Sequence, residues 1–100
     1  MKADKFEEIL DEQIQLVREI LVIKAMEYSN EDRLSNFRIA AKILNSSVPE
    51  AIAGMMVKHT VSIYDMVESN QTFAKDVWDE KITDHINYLI LLKASQLEKE

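Results

Sequence analysis

A stripe of apolar side chains at steps of three or four residues runs through the first 28 positions of the chain. Its members are Phe6, Leu10, Ile14, Val17, Leu21, Ala25 and Tyr28. This period matches the 3.6 residues per turn of an α-helix, so it predicts one long helix that ends near Ser29-Asn30. Asp4 and Glu7 have the spacing of a capping box at its start. Further apolar residues widen the stripe beyond what one partner helix covers, which indicates a helix that crosses a bundle or a subunit boundary.

Three more helices follow from caps and periodicity. Ser35 is positioned to cap a short helix that stops at Asn45-Ser46, and its expected inner face consists of Phe37, Ala40, Ala41 and Leu44. The segment Ser47-Val48-Pro49-Glu50 has the Ser, Pro and Glu of a helix start and predicts a third helix over roughly 48–68. A last helix is predicted from about Ala74 to Glu98.

The fold class predicted from these segments is all-α. With one Gly and one Pro in the chain, Gly54 and Pro49, the turns that an all-β fold requires are lacking. We expect a single domain over 1–100, an antiparallel bundle of three long helices and one short one. Because the first and last helices are apolar nearly all round, we also expect a homo-oligomer. Gly54, inside a helix, is expected to permit a close helix crossing.

Charge and composition exclude several classes of function. The formal charge is −6, from 12 basic and 18 acidic residues, which makes nucleic acid an unlikely partner and disfavours a helix-turn-helix reading. The absence of cysteine excludes disulfides and thiolate sites and favours a cytoplasmic setting. The longest apolar run, 51–57, is far shorter than the ~18 residues that span a bilayer, so no membrane partner is expected.

Polar side chains interrupt the apolar pattern of two helices with the same four-then-three spacing. The rows are Lys58, Ser62 and Asp65 on the third helix, and Glu80, Asp84 and Asn87 on the last. Such rows share one helix face, and together they suggest a polar cleft. Carboxylates on facing helices are how bundles hold Mg²⁺. Other candidates near this cleft are Lys24, Glu27, Tyr28, Arg33, Asn36 and Tyr88.

Short segments of the chain resemble small phage-encoded proteins and, through them, the MazG-type all-α nucleotide pyrophosphohydrolases and phage nucleotide-modification-associated domains. The segments are Lys24-Ala25-Met26-Glu27-Tyr28, Arg33-Leu34-Ser35-Asn36-Phe37, Met56-Val57-Lys58-His59, and Trp78-Asp79-Glu80-Lys81-Ile82-Thr83-Asp84 with Asn87-Tyr88. The resemblance implies Mg²⁺-dependent cleavage of a nucleoside triphosphate to the monophosphate and pyrophosphate, in the cytoplasm of a host cell. In that family one helix carries Glu-Glu-x-x-Glu and the next Glu-x-x-Asp. Here Lys58, His59 and Ser62 stand in place of the first motif, and Lys81 stands where the second has its Glu.

Two hypotheses therefore remain open. The first is a MazG-like hydrolase whose two polar rows face a shared cleft. Its expected metal ligands are Glu27, Asp65, Glu80 and Asp84, and its expected substrate-binding residues are Lys24, Tyr28, Arg33, Asn36, Lys58, Asn87 and Tyr88. The second is a non-catalytic helical protein that binds a nucleotide or a protein partner. It predicts rows split between solvent and ion pairs, and the widest exposed apolar surface on the first helix.

Two smaller readings accompany these hypotheses. His59 and His85 are read as packed or hydrogen-bonded core residues rather than as ligands or bases. Arg33 is either a phosphate contact at a helix start or an ion-pair partner of Asp32 or Glu31, and both readings stay open.

Overall fold

The structure, a computed structural model, describes residues 1–27 and 32–98, excluding the side chains of residues 26 and 27. Every regular element in those ranges is helical, which confirms the all-α prediction. The α-helices are α1 (Ala3–Arg18), α2 (Ser35–Leu44), α3 (Val48–Glu68) and α4 (Lys75–Leu97). A π-helical segment (Glu19–Ile23) and a 3₁₀ segment (Lys24–Glu27) continue the chain beyond α1. Three long helical stretches and one short helix are therefore present, as expected.

The start of α3 is as predicted. The Ser47 side chain accepts a hydrogen bond from the Glu50 backbone N–H, and the Glu50 side chain accepts one from the Ser47 backbone N–H. Asn45 adopts the left-handed conformation, with φ of 53°, and ends α2 at the position expected.

The caps predicted for α1 and α2 are wrong. Helix α1 begins at Ala3 with Lys2 as its N-cap, so Asp4 lies within the first turn and accepts a hydrogen bond from the Lys5 N–H instead of capping. Helix α2 has Leu34 as its N-cap, and Ser35 is already helical. Asp32, not Ser35, accepts the hydrogen bond from the Leu34 N–H, at 3.0 Å.

The single long α-helix expected over the first 28 residues changes form after Arg18. The wider π turn over Glu19–Ile23 coincides with three β-branched residues, Ile20, Val22 and Ile23, which crowd the preceding turn of an α-helix. The predicted end at Ser29-Asn30 lies outside the described residues.

The buried core is small and lies among α2, α3 and α4. Leu34, Phe37 and Ile52 form its centre, and the residues packed against it are Val48, Tyr88, Leu91 and Leu92. Ile52 is fully buried. The two histidines also lie in the α3–α4 contact, where the His85 ring nitrogen is 2.8 Å from the Thr60 hydroxyl and the His59 ring packs on Tyr88. Both rings are half-buried, and their reading as packed or hydrogen-bonded residues stays a prediction.

Helix α1 lies outside this core and packs mainly on α4. No residue between 3 and 23 is buried. The close crossing expected at Gly54 is wrong as well, because a Cβ placed there would meet nothing within 4 Å. Among the described helices, none is long and apolar enough to cross a membrane.

Candidate functional site

An apolar groove runs between α1 and α4. It consists of two adjoining cavities of about 370 and 340 Å³ that share Leu10 and Gln13. The first is otherwise lined by Ile14, Val17, Arg18, Leu21, Val22, Ile86 and Ile90, and the second by Phe6, Ile9, Trp78, Asp79 and Ile82. We call the two together the α1/α4 groove.

The predicted apolar stripe of the first helix is only partly used inside the molecule. Val17 and Leu21 are half-buried, whereas Phe6 is 60% and Ile14 is 52% exposed. The stripe therefore forms a wall of the groove as well as the contact with α4. A wall of this kind presents apolar area to water, which is unfavourable unless another molecule covers it.

Two polar contacts hold α1 on α4. The Gln13 side-chain amide donates a hydrogen bond of 2.8 Å to the hydroxyl of Thr83, which is buried. Lys75 bridges the helices by pairing with Glu12 and with Asp79, the latter at 2.7 Å. The hydrogen bond to Asp79, and then that to Glu12, raises the pKa of Lys75. Sequence reasoning missed these contacts. The one available signal was the polar Gln13 between apolar stripe positions.

A second, polar pocket of about 380 Å³ lies on α3. Lys58, Ser62 and Asp65 line it, together with Val61, Met66 and Phe73. The polar row predicted on the third helix therefore does share one surface. The lining includes no residue of the row on α4.

The row predicted on α4 does not stay on one surface. Glu80 is exposed, Asp84 is half-buried and Asn87 is buried, and the Asn87 carboxamide oxygen has no hydrogen-bond partner among the described residues. Tyr88 packs against Phe37 and His59, with ring centroids 6.1 and 4.8 Å apart, so the core holds it.

The remaining candidates lie at the ends of elements. Lys24, Arg33 and Asn36 are exposed. Tyr28 and the side chain of Glu27 lie outside the described residues. The structure therefore brings together only part of the expected substrate-binding set.

Asp32, one of the two ion-pair partners considered for Arg33, pairs with Arg38. The Arg38 guanidinium contacts Asp32 at 2.7 Å and Glu98 at 2.6 Å, which ties the start of α2 to the end of α4. The hydrogen bond from Arg38, and then that from the Leu34 N–H, holds the pKa of Asp32 below its ordinary value of 3.8.

The expected Mg²⁺ ligands can be tested in part. In residues 1–25 and 32–98, no three His, Asp or Glu side chains are grouped so that they could hold a metal ion. Asp65, Glu80 and Asp84 fall in these ranges and do not form such a group. No reaction step through a metal follows from the described carboxylates.

No family model, curated protein or solved structure matches this chain. The likeness to MazG-type enzymes thus stays a prediction. The α1/α4 groove can bind an apolar helix face, and the polar pocket can accept an anionic group at Lys58.

Proposed function

We propose that this protein is a helical interaction protein whose α1/α4 groove binds an amphipathic helix of a protein molecule. The observation that carries the proposal is that α1 buries no residue of its own while it lines a groove of apolar side chains. Large apolar patches of this kind on soluble proteins mark interaction surfaces. In the second hypothesis above, the first helix was expected to carry this surface.

The dimensions of the groove suit a helix. Its first wall, the α1 wall, extends from Phe6 to Val22, along α1 and into the π-helical segment that follows, and its α4 wall extends from Trp78 to Ile90. At about 1.5 Å per residue, the α1 wall is on the order of 20 Å long, the length of about four helical turns. An amphipathic helix laid along it would cover apolar side chains at steps of three and four.

Polar residues at the groove help to orient such a helix. Arg18 lines one cavity, whereas Asp79 in the other already pairs with Lys75, so a partner helix meets a positive group at one end of the groove. Charges at the margin of an apolar contact contribute to orientation and partner choice more than to affinity.

The test uses Trp78, the one tryptophan of the chain, which lines the groove. A synthetic amphipathic helix with leucine at steps of three and four is titrated into the protein while Trp78 emission is recorded. We expect saturable binding, none with a scrambled peptide of equal composition, and loss of binding in Ile14→Asp. Val57→Asp, at an exposed apolar position of α3 outside the groove, is the matched control and retains binding. Equal binding of the scrambled peptide overturns the proposal.

A second candidate function is nucleotide binding in the polar pocket. The observation that favours it is that Lys58 and Ser62 line the same pocket as the ring of Phe73. A lysine can pair with a phosphate, and an aromatic ring can stack on a base. The phage origin and the pyrophosphohydrolase activity implied by the MazG-like resemblance belong to this candidate, and a cytoplasmic setting to both.

Isothermal titration with nucleoside mono- and triphosphates, with and without Mg²⁺, tests this second candidate. We expect Lys58→Ala to lose binding and Lys42→Ala, an exposed lysine of α2, to keep it. Pyrophosphate release that needs Mg²⁺ and disappears in Asp65→Ala, which removes the carboxylate that lines the pocket, would extend the candidate to hydrolysis. The absence of heat with every nucleotide removes it.

A further inference from the structure

The molecule exposes more surface than a folded monomer of its mass. Its accessible area is 7726 Å² for 11.6 kDa, against about 5,800 Å² expected, an excess of about 1,900 Å². Its radius of gyration is 15.6 Å, where about 13 Å is usual for 100 residues. A standard interface takes about 800 Å² from each partner. The excess is therefore large enough for one such interface.

The apolar stripe of α1 lines the groove, and it is also the kind of apolar helix face that could bind in such a groove. Leu10, Ile14 and Val17 follow one another at steps of four and three within α1, and Leu21, in the π-helical segment that follows, lines the same cavity. This is the seam pattern by which two helices interlock their side chains. In a two-fold dimer both copies contribute the same patch, so the patch must be complementary to itself. Here α1 of each copy can lie in the groove of the other.

We infer that the helix bound in the α1/α4 groove is α1 of a second copy of this chain, in antiparallel orientation. The inference rests on the proposed function and names its partner. Each α1 lies against the α1 and α4 of the other copy, which gives a four-helix arrangement with the apolar stripes at its centre. Leu10 of one copy then lies opposite Leu21 of the other, and Ile14 opposite Val17.

Charge decides the orientation. Asp11 and Arg18 are seven residues apart, so they occupy equivalent positions beside the apolar seam. Both are exposed, and no ion pair joins either one to another described residue. An antiparallel pair brings Asp11 near Arg18 of the second copy, twice by symmetry. A parallel pair in register leaves Asp11 and Arg18 seven positions apart along the axis and on opposite sides of the seam, so neither can pair with the opposite charge of the other copy.

Sedimentation equilibrium of the full chain measures the state of assembly. We expect twice the 11.6 kDa mass of one chain, and dissociation constants raised at least tenfold in Asp11→Arg and in Arg18→Asp. The double variant, in which the charges are exchanged, restores dimerisation. Both positions are exposed, and circular dichroism confirms that each variant keeps its helices. Failure of the exchange to restore the dimer overturns the antiparallel pairing.

Disulfide cross-linking is a second test of how the two α1 helices are oriented. The chain has no cysteine, so a single introduced thiol reports on one place only. A mixture of Leu10→Cys and Leu21→Cys is expected to form the mixed disulfide in preference to either symmetric one. Leu10→Cys chains that join to each other instead contradict an antiparallel pair.

The two proposals fail in different ways. If the chain is a monomer up to high concentration yet binds the synthetic helix with a change in Trp78 emission, the second copy is excluded and the interaction protein stands. If it neither dimerises nor binds the helix, both are excluded. If it dimerises and the synthetic helix lowers the measured mass, both hold, because the two helices compete for one groove.

Discussion

At the scale of single residues, two acidic side chains each take part in starting a helix. Glu50 accepts a hydrogen bond from the Ser47 N–H and contacts its hydroxyl, which lowers the pKa of Glu50 below its ordinary 4.5. The hydrogen bonds from Arg38 and from the Leu34 N–H likewise lower the pKa of Asp32. A carboxyl whose pKa is lower in the folded protein contributes stability above its unfolded pKa and loses it as the pH falls through the folded value.

We therefore expect the melting temperature to fall as the pH is lowered below about 4, the ordinary range of these carboxyls. Glu50→Gln removes the titrating group at the start of α3, so its melting temperature should fall less steeply over that range. Glu7→Gln, on the exposed side of α1, changes the same charge without removing a cap and is the control. Thermal melts by circular dichroism from pH 2 to 7 measure both, and identical profiles for Glu50→Gln and the parent chain would contradict the argument.

The core offers a second prediction at this scale. Ile52 is 0% exposed, so Ile52→Ala leaves a cavity and should lower the free energy of unfolding by about 2–5 kcal/mol. Ile43, which is 78% exposed, supplies the control Ile43→Ala, with an expected change under about 0.5 kcal/mol. Urea unfolding measures both, and similar losses at the two sites would show that the burial of Ile52 is not what stabilises the core.

Residue-level contacts were the part of the site least predictable from sequence. Arg38 is six residues from Asp32 and sixty from Glu98, separations that no helical repeat joins, so the sequence pointed only to Arg33 as a possible partner of Asp32 and left even that open. The polar row of α3 could be predicted, since one helix fixes its side chains on one face. Whether it faced the row of α4 depended on how the helices pack, which spacing within a helix does not determine.

At the scale of elements, local chemistry predicted α3 and α4 well and α1 less well. The Ser, Pro and Glu at the start of α3 act within one turn, so sequence alone located that boundary. The π turn after Arg18 is different, because it spans only five residues, too few for its different period to show in an apolar pattern. Periodicity could predict that residues 3–27 are helical, but not where the helix changes form.

Gly54 gives the prediction at this scale. It lies inside α3, is exposed, has no positive φ, and a Cβ there meets open space. Gly54→Ala should therefore raise the free energy of unfolding by about 0.5–1 kcal/mol through helix propensity and a less flexible unfolded chain. Urea unfolding measures the gain, with Ala53→Gly at the preceding residue as the opposite change. A loss of stability in Gly54→Ala would mean that this face of α3 is covered in the assembled protein.

At the scale of the whole molecule, the core and the apolar α1/α4 groove lie in different places. The buried centre belongs to α2, α3 and α4, whereas α1 contributes exposed apolar side chains and is held by a hydrogen bond and a bridging lysine. A surplus of apolar surface was predictable from the sequence, because the first and last helices carry apolar residues on more of their circumference than a single chain can cover. Its position on the first helix was a prediction of the second hypothesis, and the packing adds that no residue of this helix between 3 and 23 is buried.

The stability of α1 should consequently depend on assembly more than that of α3. Amide hydrogen exchange reports local opening, and a helix with few buried contacts opens at lower free energy than the core. On dilution to concentrations where the dimer dissociates, we expect amides of residues 5–18 to lose protection while those of α3 keep it. In Ile14→Asp, which places a charge in the groove, α1 should be unprotected at every concentration, whereas Val57→Asp should behave as the parent chain. Concentration-independent protection of α1 would show that α4 alone suffices to hold it, and the two-copy arrangement would then have no energetic basis.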